Sequence, residues 1–174
     1  MDGQGSTSRA LLAAGCIALD VQAAGGQEIF EAAAQLLHKV HKLRRAQLMD
    51  RLWTRERRGS TGIGWGVAIP HCDMPAMRRP LAAFVRAAAP VAFDAPDRAP
   101  TREFLILVAP RPATAEHFAM LSHYRQLLSH AGRRGELAGC ADIPAVWRFF
   151  REHEWHGAQK AAGIMRPQAA SHFL

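Results

Sequence analysis

The chain is predicted to fold as an α+β domain, with a mixed β-sheet covered by helices on both faces. Three observations predict it. Strand-like and helical stretches alternate irregularly, and two helical stretches precede the glycine-rich segment in the middle of the chain. The run FLILV (Phe104–Val108) is apolar without a break, which marks a central strand covered on both sides rather than a half-solvated one. Two further helical stretches, opened by Thr114 and Asp142, follow it and supply more cover.

Residues 1–9 are small and polar without periodicity, and predict a disordered N-terminus. A single domain is expected over 10–155, since 174 residues suffice for one well-buried core. Ile17–Val21 reads as the first strand. From Gln27 the residues Ile29, Ala33, Leu36, Leu37 and Val40 recur at helical spacing to about Leu43, with Lys39, Lys42 and Arg44 suited to the helix C-terminus. A second helix is predicted over Arg45–Arg58, burying Leu48 and Leu52, with Gly59 as its C-cap.

Val67–Ile69 is a short strand, and Asp73–Pro80 reads as a loop. Leu81–Ala87 is a strand that Pro90–Phe93 extends or bends; DAPDRAP is a turn, and Glu103–Ala109 is the best strand in the chain. Thr114 caps a helix to about His130, Gly132 and Gly135 punctuate, and Asp142 caps a last helix to about His153. The alanine-, glycine- and glutamine-rich stretch 156–174 reads as a tail.

The chemistry concentrates in Gly59–Cys72, GSTGIGWGVAIPHC. A glycine-rich turn runs into a short apolar strand, which stops at Pro70 and presents His71. Pro70 lacks an N–H and biases Ile69 towards extended geometry, so the histidine leaves the strand in a defined direction. Successive N–H groups at Gly62 and Gly64, with the hydroxyls of Ser60 and Thr61, are read as a concave phosphate-binding site. The two hydroxyls have simple turn-forming roles as the competing account. An imidazole beside an anion nest suggests phosphoryl chemistry on histidine.

The longer run RERRGSTGIGWGVAIPHC resembles the phosphorylation-site signature of enzyme IIA domains of the phosphotransferase system, fructose/mannitol superfamily, in particular the stand-alone nitrogen-regulatory branch. The likeness covers about residues 18–153 and continues through PVAFDAPDRAPTREFLILVAP and TAEHFAMLSHYRQLL. The resemblance implies a three-layer α/β/α sandwich. It also implies that Nε2 of His71 accepts a phosphoryl group, reversibly and in line, from a phosphohistidine on an HPr-type phosphocarrier, with no ATP, cofactor or metal at the site. His117 matches the family's second histidine, which hydrogen-bonds the phosphoryl oxygens. Arg55 matches the arginine that often precedes the glycine turn, although Arg57 and Arg58 stand close by. Two positions depart from the pattern. Cys72 replaces the usual glycine after the site histidine, and Trp65 replaces a small polar residue, either as a partner-binding anchor or as core.

Composition narrows the alternatives. The formal charge is +7 with nine histidines, but the arginines are scattered in pairs without interleaved aromatics, so nucleic acid is not an expected partner. No apolar run is long enough for a membrane span and no leader pattern opens the chain, so a cytoplasmic location is expected. The three cysteines are widely spaced and read as free thiols, and adjacent His71 and Cys72 are an awkward start for a tetrahedral metal site. Three readings stand: a regulatory, nitrogen-type phosphoryl carrier; a sugar-transport IIA subunit handing phosphate to a IIB partner; and a non-enzymatic binding module with a basic surface. A short chain without an attached IIB or membrane domain favours the first.

Overall fold

The computed structural model describes residues 10–157, so the expectations for 1–9 and for the tail beyond 157 lie outside the described residues. The order of elements is β1 (Leu12–Val21), α1 (Gly26–His41), α2 (Arg45–Glu56), β2 (Gly62–Gly64), β3 (Val67–Ala68), β4 (His71–Met74), β5 (Leu81–Val91), β6 (Thr101–Pro110), α3 (Ala115–Ser129), α4 (Ala131–Gly139) and α5 (Ile143–Glu152). The sheet runs β1-β5-β6-β3-β2, with β4 also on β6. It is mixed, as expected: β1 is parallel to β5, β5 antiparallel to β6, β3 and β4 parallel to β6, and β2 antiparallel to β3.

Strand β6 earns its central place from its apolar run, since Phe104 to Val108 are all at most 2% exposed. The two faces have separate cores. Phe84 of β5 meets Phe150 of α5, ring centroids 5.3 Å apart, on one face. On the other, Phe104 meets Phe93 edge-on at 5.1 Å, and Phe93 reaches Phe30 of α1 at 6.0 Å. Helices α1 and α2 pack together on the Phe104 side, and α5 covers the Phe84 side with α3 and α4 beside it. That is the three-layer arrangement.

Four elements differ from expectation, the first being β2, which forms inside the predicted glycine-rich turn by pairing with β3. Strand β1 begins five residues early, at Leu12, because Leu12 pairs with Ala82 across the sheet. Helix α4 occupies the stretch read as punctuation. Its glycines weaken it locally, but the buried Arg86 donates to the carbonyls of Leu137 and Cys140 at 2.7 and 2.6 Å and ties down its C-terminal end. Arg86 is itself neutralised by Glu103 at 2.9 Å. Strand β4 is not predicted, and its second half falls in the expected Asp73–Pro80 loop; it forms because β6 runs on past β3 and offers Leu107–Pro110 as parallel partners.

That last difference positions the site. β3 and β4 share one edge of β6, with Ile69 and Pro70 between them. Pro70 donates nothing, but its carbonyl accepts from Leu107 N–H at 2.9 Å, so the chain stays on β6 and restarts as a strand at His71.

Candidate functional site

His71 opens β4 opposite Leu107, half-buried at the floor of a cleft of about 400 Å³. One wall is α2 with Arg51 and Arg55, continued by Arg58 in the turn after the helix; the other is the start of α3 with His117, Phe118 and Leu121. The structure therefore brings together three of the residues singled out from sequence: His71, Arg55 and His117.

Hydrogen bonds fix the imidazole. Arg55 Nε–H donates to His71 Nε2 at 3.1 Å, and a guanidinium N–H has no acceptor role, so Nε2 carries the lone pair. The proton then sits on Nδ1, which donates to the Ile69 carbonyl two residues back at 2.9 Å. Burial lowers the pKa of His71 below the ordinary imidazole value, and the Arg55 charge pushes the same way; the Ile69 carbonyl and Glu56 act against them without reversing the shift. Neutral imidazole with Nε2 facing the cleft is a poised nucleophile.

His117 is arranged in the opposite tautomer. Its Nδ1 accepts from Thr114 N–H at 2.9 Å, at the N-cap of α3, so the ring proton is on Nε2. Among the described residues nothing engages that Nε2–H. The two histidines thus offer the cleft complementary groups, one lone pair and one donor. Arg55 is anchored a second time by Nη1–H to the Gly59 carbonyl at 2.9 Å, which orients its fork.

The glycine turn is elsewhere. Ser60, Thr61, Gly62 and Gly64 do not line the cleft, and their polar groups are engaged inside the fold. Thr61 is buried, and Glu56 takes both its N–H (2.9 Å) and its hydroxyl (2.6 Å). Ser60 donates to the Phe93 carbonyl at 3.0 Å and accepts from Gly62 N–H at 3.1 Å. The glycines are needed for close packing: a Cβ on Gly62 would come within 3.0 Å of the Ala95 backbone, and Gly64, at φ +92°, would crowd Asp97. Trp65 is not core. It is 58% exposed at the tip of the β2–β3 hairpin, where it and Gly66 both have positive φ, the pattern of a two-residue type I′ turn. Asp97 accepts from its N–H at 2.6 Å, and the Arg134 guanidinium lies 4.6 Å above its ring.

Sequence reasoning missed Arg51, Asp73, Arg111 and Phe118. Asp73, two residues after His71, lies between Arg51 at 3.4 Å and Arg111 at 3.9 Å. Arg51 was findable, four residues before Arg55 and so on the same helix face. Arg111 and Phe118 become neighbours only through the sheet. Cys72 lines the cleft, but burial and the Asp73 charge push its thiol up to about 12 against the pull of Arg51, so it stays protonated and unreactive.

An α+β domain that gathers an imidazole lone pair, the arginine that donates to it and a second histidine in one cleft defines the class of protein. The profile of the phosphoenolpyruvate-dependent sugar phosphotransferase system, EIIA 2, matches residues 10–153. A nitrogen regulatory protein of Pseudomonas aeruginosa is 37% identical over 101 residues, which is 58% of this chain and 66% of that one. A fructose-specific EIIA component of Haloferax volcanii is 34% identical over 89 residues, 51% of this chain and 58% of that one. The matched stretches thus fall short of two thirds of both relatives' lengths. The crystal structure of nitrogen regulatory protein IIA-Ntr from Neisseria meningitidis superposes with a TM-score of 0.75 at 35% identity, covering 80% of this chain and 95% of that one. The chain belongs to the EIIA 2 family of the phosphoenolpyruvate-dependent sugar phosphotransferase system. No helix among the described residues is long and apolar enough to cross a membrane.

Proposed function

We propose that the protein is a cytoplasmic phosphoryl carrier of the nitrogen-regulatory type, accepting its phosphoryl group on Nε2 of His71 from the phosphohistidine of an HPr-type phosphocarrier. The observation that carries this reading is the pair of hydrogen bonds on His71, which leave the lone pair on the nitrogen that faces the cleft. In the transfer, Nε2 attacks phosphorus in line, the new P–N bond forms as the bond to the donor imidazole breaks, and the donor ring keeps the electron pair. Positive charge developing on His71 strengthens its Nδ1–H bond to the Ile69 carbonyl. Arg55 Nε–H passes from the lone pair to a phosphoryl oxygen, His117 Nε2–H donates to another, and the N-terminus of α3 adds partial positive charge. Positioning and charge stabilisation then supply most of the catalysis.

Phosphorylation adds close to two negative charges to a basic surface, and a partner that accepts one state is repelled by the other. The exposed Trp65 ring, away from the donor's cleft, serves this reading as the anchor for a regulated target. The likeness to a fructose-specific EIIA component supports a second reading with the same chemistry, in which the group passes on to a IIB partner.

Incubation with phosphoenolpyruvate, enzyme I and a phosphocarrier, followed by intact mass, tests the proposal. One acid-labile phosphate is expected on the wild type, none on His71→Ala, and slower labelling of His117→Ala. A wild type that takes no label from any carrier would sink the reading in favour of a plain binding module.

A further inference from the structure

His71 and Asp73 stand two residues apart on β4, so they share one side of the strand, and both line the cleft. Asp73 is the one carboxylate among the lining residues. It lies between two arginines from different elements. Arg51 of α2 donates from Nη1 to Oδ1 at 3.4 Å, and Arg111, the residue after β6, brings Nε to 3.9 Å from Oδ2. The backbone keeps Arg111 there, since its N–H donates to the Met74 carbonyl at 3.0 Å beside the end of β4. Both contacts are long for charged partners, and all three side chains are partly exposed. A guanidinium carries five N–H donors, so a carboxylate held this loosely leaves most of them for a second anion.

Phosphoryl transfer at His71 does not call for a carboxylate. A dianion on Nε2 gains from Arg55 and His117 and loses from any negative charge nearby. We infer that Asp73 is a positioning residue that limits how tightly the phosphoryl group is held, by occupying Arg51 and Arg111 as a resident anion and by opposing the dianion along β4. The inference rests on the phosphoryl-carrier reading above and adds what sets the balance between taking the group and giving it up. The carboxylate is only about 7 Å along the strand from the imidazole, inside a Debye length at physiological salt. Its two effects have one sign. Removing the charge ends the repulsion and also frees two guanidiniums for the phosphoryl oxygens, so the phosphorylated state is favoured. A carboxylate that only braced the arginines would act the other way, since without it they would repel each other and the hold would loosen.

The test mixes an HPr-type carrier, phosphorylated with phosphoenolpyruvate and enzyme I and then freed of both, with an equal amount of acceptor. Intact mass reads the phosphorylated fraction of each protein once it stops changing. The P–N bond to the carrier imidazole breaks as the bond to Nε2 of His71 forms, so the ratio is an equilibrium constant and does not depend on how the two proteins dock. Asp73→Asn is expected to raise that constant about tenfold. Asp73→Glu, which keeps the charge, should stay within about threefold of wild type, and adding Arg51→Ala and Arg111→Ala to Asp73→Asn should remove most of the gain. Asp50→Asn makes the same charge change on an exposed α2 residue that does not line the cleft, and should shift the constant by less than about twofold. An unchanged or lowered constant in Asp73→Asn, or an equal rise in Asp50→Asn, would overturn the inference and leave the carrier reading intact. No phosphoryl group on wild type removes both.

Discussion

The glycine turn and the His71 cleft are neighbours in sequence and opposites in chemistry. In the turn, the polar atoms are engaged by the fold itself: Thr61 by Glu56, Ser60 by the Phe93 carbonyl, and the Trp65 N–H by Asp97. In the cleft, Nε2 of His71 accepts only from the Arg55 side chain, and Nε2–H of His117 has no partner among the described residues. Both segments carry residue types that suit phosphate. Only the cleft keeps a ring N–H with no partner among the described residues, that of His117, beside a lone pair held by a single N–H from Arg55.

The sharpest way to break this contrast is at Arg55. Arg55→Ala is expected to lower the rate of phosphoryl transfer about a hundredfold in a folded protein, since it removes the donor nearest the transferred group. A change under threefold would put the stabilising role elsewhere. Thr61→Val addresses the turn. It should cost about 1–2 kcal/mol of stability in a urea melt, by leaving a Glu56 oxygen unpaired, with no slowing of transfer. Slower transfer without loss of stability would return Thr61 to the phosphate. Trp65→Asn should shift stability by less than about 1 kcal/mol, since relief of the left-handed backbone offsets the lost Arg134 stacking.

pH separates the regions as well. The folded pKa values of His71 and His41 lie below the ordinary 6.5, His71 mainly through burial and His41 through burial and Arg79. A group depressed in this way binds more protons when unfolded. Its stability contribution is complete above pH 6.5 and is lost as pH falls from there through the folded value. Melts should therefore weaken below that point. The rate of labelling should hold down to a lower pH than an exposed histidine would allow. A rate that halves at pH 6.5 would show an unshifted imidazole.

How much of this was legible in the sequence follows from how local each feature is. The apolar run of β6, the helical period of α1, the Thr114 and Asp142 caps, and Pro70 before His71 are local, and each was readable. Asp142, for instance, accepts from Ala145 N–H at 2.8 Å as its position predicts. Helix α4 was hidden because its support comes from Arg86, more than fifty residues earlier in the chain. Strand β4 was hidden because HCDM has little strand character and relies on its pairing with β6. The glycine turn misled for a related reason. Gly62 and Gly64 are required by the 95–97 loop, and nothing nearby in sequence reveals that contact. The family resemblance singles out His71, His117 and Arg55; the tautomers of the two histidines and their shared cleft come from the fold.

The central claim is that Ile69 and Arg55 together make Nε2 the nucleophile. Phosphorus–nitrogen coupling in the phosphorylated protein, with ¹⁵N-labelled histidine and His71 assigned by comparison with His71→Gln, tests it most directly. The account predicts a phosphoryl group on Nε2, with Nδ1 still protonated and donating to the Ile69 carbonyl. A phosphoryl group on Nδ1, or on any other histidine, would contradict it.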